Sequence, residues 1–70
     1  MDADERNKMK TLLSYLVEHN RDHSQEVKDW ANKAGELGES ELADEMRQAA
    51  KAMDTAVELL NGSLKRLEGT

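Results

Sequence analysis

Hydrophobic residues recur along this chain at alternating intervals of four and three. In the first half the series is Met9, Leu13, Leu16, Asn20, His23, Val27, Trp30 and Ala34. In the second half it is Leu42, Met46, Ala49, Met53, Ala56, Leu60, Ser63 and Leu67. An apolar repeat of about 3.5 residues keeps one stripe of a helix turned towards a neighbouring helix. The pattern predicts two long helices, over about residues 4–34 and 40–68, packed along these two seams. Asn20, His23 and Ser63 are the only polar residues on them.

The ends of both helices are signalled. Asp2 and Glu5 fit a capping box, and Asp4 adds charge suited to a helix N-terminus. Lys33 followed by Gly35 fits a C-terminus with a left-handed cap. Ser40 is a suitable N-cap for the second helix, with Glu41, Asp44 and Glu45 behind it. Lys65 and Arg66 suit the last turn before Gly69. The connection then runs from Gly35 to Glu39, short enough to force the helices antiparallel. Asn61-Gly62 is the weak point, because a glycine within a helix costs about 1 kcal/mol. Leu64 and Leu67 keep the pattern running, so the helix is expected to pass through it and fray. The first seam does not skip between His19 and His23, so that helix is expected to be continuous.

Apolar residues also flank the seams: Leu12, Val17 and Ala31 on the first, and Ala43, Ala50, Val57, Leu59 and Leu64 on the second. A two-helix hairpin shields only a narrow stripe. Burying one leucine is worth about 1.5–3 kcal/mol, so a second copy would be strongly favoured. The expectation is an all-α antiparallel hairpin that forms a homodimeric four-helix bundle. A helical partner of another sequence is the alternative. Folding the hairpin about Leu37 pairs positions whose numbers sum to roughly 75. Trp30, expected as a core anchor, then faces Met46, and His23 faces Met53 and the alanines around it.

Composition narrows the function. The chain has 70 residues, one domain over 1–70, with no cysteine and no proline. Thiolate metal sites, cysteine nucleophiles and disulfides are therefore excluded. A net charge of −5 argues against a nucleic-acid partner. No apolar run approaches the roughly 20 residues of a membrane span, and no signal-peptide pattern opens the chain. These features predict a cytoplasmic protein. There is no phosphate loop and no nucleophile elbow, and a hairpin offers no deep cleft. The chain is not expected to be an enzyme.

One polar constellation remains. His19 and His23 are four residues apart and share a helix face, and Glu26 lies three beyond His23. Imidazole and carboxylate suit a divalent transition metal such as nickel, cobalt or zinc. If the first helix crosses its symmetry mate near its midpoint, four imidazoles converge at the axis. Asn20 reads as a register-setting seam residue or as a hydrogen-bonding partner to a histidine. Tyr15, one turn before His19, reads as a half-buried aromatic with its hydroxyl in water.

The run from Leu16 to His23 resembles a hemerythrin-type helix, from a family of four-helix bundles with several histidines and bridging carboxylates. The second helix has no histidine, so that resemblance stops at one helix. From Leu12 to Leu67, the H-N-x-x-H box (His19, Asn20, His23) and the Gly-x-Leu-Gly connection (Gly35 to Gly38) resemble a small uncharacterised helical-hairpin family. That resemblance implies a hairpin fold and a link to nickel and cobalt handling. Two functions follow from the sequence. One is a non-enzymatic helical oligomerisation or protein-interaction module, seamed by Leu13, Leu16, Asn20, Val27, Trp30, Leu42, Met46, Met53, Leu60 and Leu67. The other is a small metal-binding protein using His19, His23 and Glu26.

Overall fold

In the computed structural model, which describes residues 1–69, α1 spans Ala3–Glu36 and α2 spans Ser40–Glu68. The two helices lie antiparallel, forming a rod with Cα extents of 53 × 14 × 13 Å. No strand occurs among the described residues. Asp2 caps α1, its carboxylate accepting from the Glu5 amide at 2.8 Å. The α1 helix is unbroken at His19–His23, and α2 passes through Asn61-Gly62. At the open end of the hairpin, Arg6 Nη1 donates to the Leu67 carbonyl at 3.0 Å.

The turn differs from the expected one. The left-handed residue is Gly38, with φ 83°, and not Gly35. The Glu39 amide donates to the Ala34 carbonyl at 2.9 Å, and the Gly38 amide to the Gly35 carbonyl at 3.0 Å. This pair of bonds is the Schellman arrangement, which satisfies the last carbonyls of a helix and requires a left-handed residue after the cap. It lets α1 run on through Glu36 and shortens the connection to residues 37–39. Ser40 is consequently not an N-cap. It is already helical, and the capping position falls to Glu39, which makes no side-chain cap bond.

A second correction concerns which residues face the neighbouring helix. Leu13, Asn20 and Val27 on α1 and Met46, Met53, Leu60 and Leu67 on α2 are half-buried between the helices, and Ala34 is buried. Their expected companions are not all there. Met9, His23, Trp30, Leu42, Ala49, Ala56 and Ser63 are exposed, and Trp30 is 63% exposed. Their places are taken by Val17, Ser24 and Ala31 on α1 and by Ala43, Ala50 and Val57 on α2, all buried. Both seams are therefore turned by one residue. The four-three spacing is satisfied equally by either set, because they share every second position. At Trp30 against Ala31 and at Leu42 against Ala43, size decides between them. Alanine and serine let two helices approach closely, whereas Trp30, Leu42 and Met9 would hold them apart.

Candidate interaction face

The turn of the seams gives the rod two unlike edges. One edge is polar and links the helices. The Ser24 hydroxyl, on a residue only 1% exposed, donates to the Asp54 carboxylate, and the Ala50 carbonyl lies 3.3 Å away. Lys28 Nζ donates to the other Asp54 oxygen at 2.8 Å. The Lys28 hydrogen bond and then the Ser24 hydroxyl hold the Asp54 carboxyl below the usual carboxylate range. Further along, Arg47 reaches the Asn32 side-chain carbonyl at 3.4 Å.

The opposite edge is apolar and faces outward. On α1 it carries Met9, Leu12, Leu16, Trp30 and, just past the helix, Leu37. Met9, Leu12, Trp30 and Leu37 are exposed, and Leu16 is half-buried. On α2 it carries Leu42, Ala49, Ala56 and Ser63. The two stripes lie on one side of the rod. Trp30, Leu37, Leu42 and Met46 line one shallow groove near the turn, and Met9, Leu13, Ser63 and Leu67 line another near the open end.

This face has a centre. On α1, Leu16 and Trp30 stand seven residues either side of His23, and Met9 and Leu37 stand fourteen either side. On α2, Ala49 and Ala56, and Leu42 and Ser63, are spaced evenly about the gap between Ala52 and Met53. The hydrogen bonding of Ser24 to Asp54 and its approach to Ala50 put these two centres at the same height along the rod. The positions of both stripes are therefore evenly spaced about one height of the rod.

The expected metal-ligating residues sit on this face. His19 and His23 are exposed, with ring centroids 4.3 Å apart, and Tyr15 stacks on His19 at 5.2 Å. Tyr15 is 59% exposed and is not half-buried as expected. Glu26 is exposed on the same helix. Among the described residues, no three His, Cys, Asp or Glu side chains come together as a metal site within one chain. Asn20 Nδ2 is bound to the Leu16 carbonyl of its own helix at 2.7 Å, beside the histidines. Sequence reasoning missed the link from Ser24 to Asp54 and Lys28. Its signal was available, since Val17, Ser24 and Ala31 form their own seven-residue series.

The fold and its two edges define a small all-helical hairpin protein with one apolar face, and among the described residues no helix is long and apolar enough to cross a membrane. The chain belongs to the family described as a domain of unknown function, DUF8180, which matches residues 9–67. Comparison with curated proteins and with solved structures gave no match. The matched stretch opens at Met9 and closes at Leu67, the outermost large apolar residues of the two helices.

Proposed function

We propose that this chain is a non-enzymatic self-association module, in which a second copy covers the apolar face to form an antiparallel four-helix bundle. The observation that carries the proposal is the twofold-symmetric apolar stripe centred on His23. Antiparallel pairing of two α1 helices about that centre sets Leu16 of each copy against Trp30 of the other, and Met9 against Leu37. On α2 the small residues Ala49 and Ala56 meet each other and allow close approach.

Energetics favour the same arrangement. Among the described residues, the hairpin's fully buried apolar core is Val17, Val57 and four alanines. Such a core is thin for a chain of this length, whose ordering entropy is of similar size to its burial gain. The whole rod has Cα extents of 53 × 14 × 13 Å. One long side of such a rod is of the order of the roughly 800 Å² per partner that a stable interface buries.

Sedimentation equilibrium tests the proposal. The wild-type chain should have the mass of a dimer, and Trp30→Glu and Leu16→Glu should reduce it to a monomer, while Gln25→Glu on the polar edge leaves it dimeric. The chain has no native cysteine, so His23→Cys should cross-link two copies under oxidation and Gln25→Cys should not. A helical wild-type monomer at all concentrations overturns the proposal. A dimer that ignores both glutamate variants also overturns it. Binding only to a protein of different sequence would assign the face to a heteromeric partner instead.

A further inference from the structure

We infer that the polar edge carries a binding groove for a small doubly charged oxyanion, a phosphate or a dicarboxylate, held by Lys28, Arg47 and Lys51. The groove lies on the edge opposite the apolar face, so it stays open when a second copy covers that face. It therefore stands or falls separately from the self-association reading. Gln25, Lys28 and Asn32 of α1 and Arg47, Lys51 and Asp54 of α2 line it, and its volume is about 410 Å³. The chain as a whole has a net charge of −5, yet three cations line this groove against one carboxylate. That carboxylate is already taken, since Asp54 accepts from the Ser24 hydroxyl and from Lys28 Nζ.

The remaining cations are poorly matched within the chain. Arg47 is held loosely, by the Asn32 side-chain carbonyl and by Asp44, both at 3.4 Å. Asp44 is exposed and does not line the groove. The Lys51 ammonium makes no hydrogen bond or ion pair among the described residues. Arg47 stands one helical turn before Lys51, and like charges at that spacing destabilise a helix. Arg47 meets Asn32 across the groove, so one turn further along each helix the antiparallel register sets Lys51 across from Lys28. An anion seated among the three replaces this repulsion with attraction. The guanidinium of Arg47 offers paired N–H donors that match two oxygens of a phosphate or carboxylate, and the lysines add point charges. The Asn32 carbonyl faces Arg47, which leaves its NH₂ as a further donor. With Asp54 counted, two positive charges are in excess, which selects a dianion over chloride.

Amide NMR of the full chain tests the groove, with inorganic phosphate and succinate added in turn against sodium chloride at equal ionic strength. Saturable shifts should appear at Gln25, Lys28, Asn32, Arg47 and Lys51 with phosphate or succinate, and none with chloride. Lys51→Gln and Arg47→Gln should each weaken binding about tenfold, the loss of one charge-assisted hydrogen bond. Both residues are exposed, so these variants keep the fold, which circular dichroism checks. Lys8→Gln, at an exposed cation near the other end of the rod, should leave binding unchanged. Saturation by phosphate alone assigns a tetrahedral oxyanion, and saturation by succinate alone assigns paired carboxylates; both support the groove. Absence of shifts with both probes overturns it. Shifts that do not saturate, or that spread equally to Lys8, Lys10 and Lys65, overturn it as well, because they report a general attraction to surface cations. Unchanged affinity in both glutamine variants overturns the assignment of Arg47 and Lys51. None of these outcomes bears on the oligomeric state, which sedimentation reads.

Discussion

Ser24 and Asp54 bind each other across the two helices, and this contact sets the register of the hairpin. Ser24 is buried at the centre of α1, where its hydroxyl finds a carboxylate on α2 that Lys28 also holds. Asp54 keeps one side in water, so the charge is not stranded.

Acid should weaken this link. Asp54 has its folded-state pKa lowered, first by the Lys28 hydrogen bond and then by the Ser24 hydroxyl. A depressed carboxylate contributes stability that is present above its unfolded value and is lost as pH falls through the folded value. The melting temperatures of wild type and Asp54→Asn should therefore differ near neutral pH, begin to converge as pH falls below the ordinary carboxylate value of about 4, and meet only below the lowered folded value. A constant difference down to the lowest pH would show that the carboxylate charge contributes nothing.

Ser24 is a test of packing as well as of polarity. Ser24→Ala removes one hydrogen bond while leaving Asp54 partly in water, so it should cost about 1 kcal/mol. Ser24→Leu inserts a large side chain where the residue is 1% exposed and should cost about 1–3 kcal/mol. Urea unfolding followed by circular dichroism measures both, and the order alanine before leucine is the point at issue.

Two glycines should respond oppositely to the same change. A Cβ at either Gly38 or Gly62 meets nothing within 4 Å among the described residues. Gly38 has φ 83°, a conformation that costs an ordinary residue about 1–2 kcal/mol. Gly62 lies inside α2, where alanine is better by about 0.5–1 kcal/mol. Gly38→Ala should lower the melting temperature and Gly62→Ala should raise it.

If two copies share the apolar face, stability must depend on protein concentration. Association of folded chains shifts the unfolding equilibrium by mass action. The wild-type melting temperature should rise with each tenfold increase in concentration, and that of Trp30→Glu should not. Differential scanning calorimetry over a dilution series separates the two outcomes.

Much of the architecture was legible before any coordinates. The capping role of Asp2, the continuity of α1 past His19–His23, and the passage of α2 through Gly62 all follow from local rules that act within a few residues. The end of α1 was less legible. Gly35 and Gly38 both stand near it, and only the Ala34–Glu39 hydrogen bond shows which of them takes the left-handed turn. Leu37 lies in the connection, outside either periodic series, yet it is exposed and completes the stripe that begins at Met9. The histidine pair was visible as a spacing, but its position at the centre of an outward face was not.

By itself, the sequence determined that there are two helices, that they run antiparallel, and that Leu13, Asn20, Val27, Met46, Met53 and Leu60 lie between them. Periodicity and a short connection suffice for that, since the backbone hydrogen bonds of a helix are local and the turn leaves no other direction. Only the tertiary structure decided which neighbouring stripe packs inside. A period of 3.5 residues is met equally well by Trp30 or Ala31, and by Leu42 or Ala43. At these two places the choice is made by volume, when two surfaces are brought to close packing. Ala31, Ala34, Ala43, Ala50, Val17, Val57 and Ser24 went between the helices, and Met9, His23, Trp30, Leu42, Ala49 and Ala56 were left facing out.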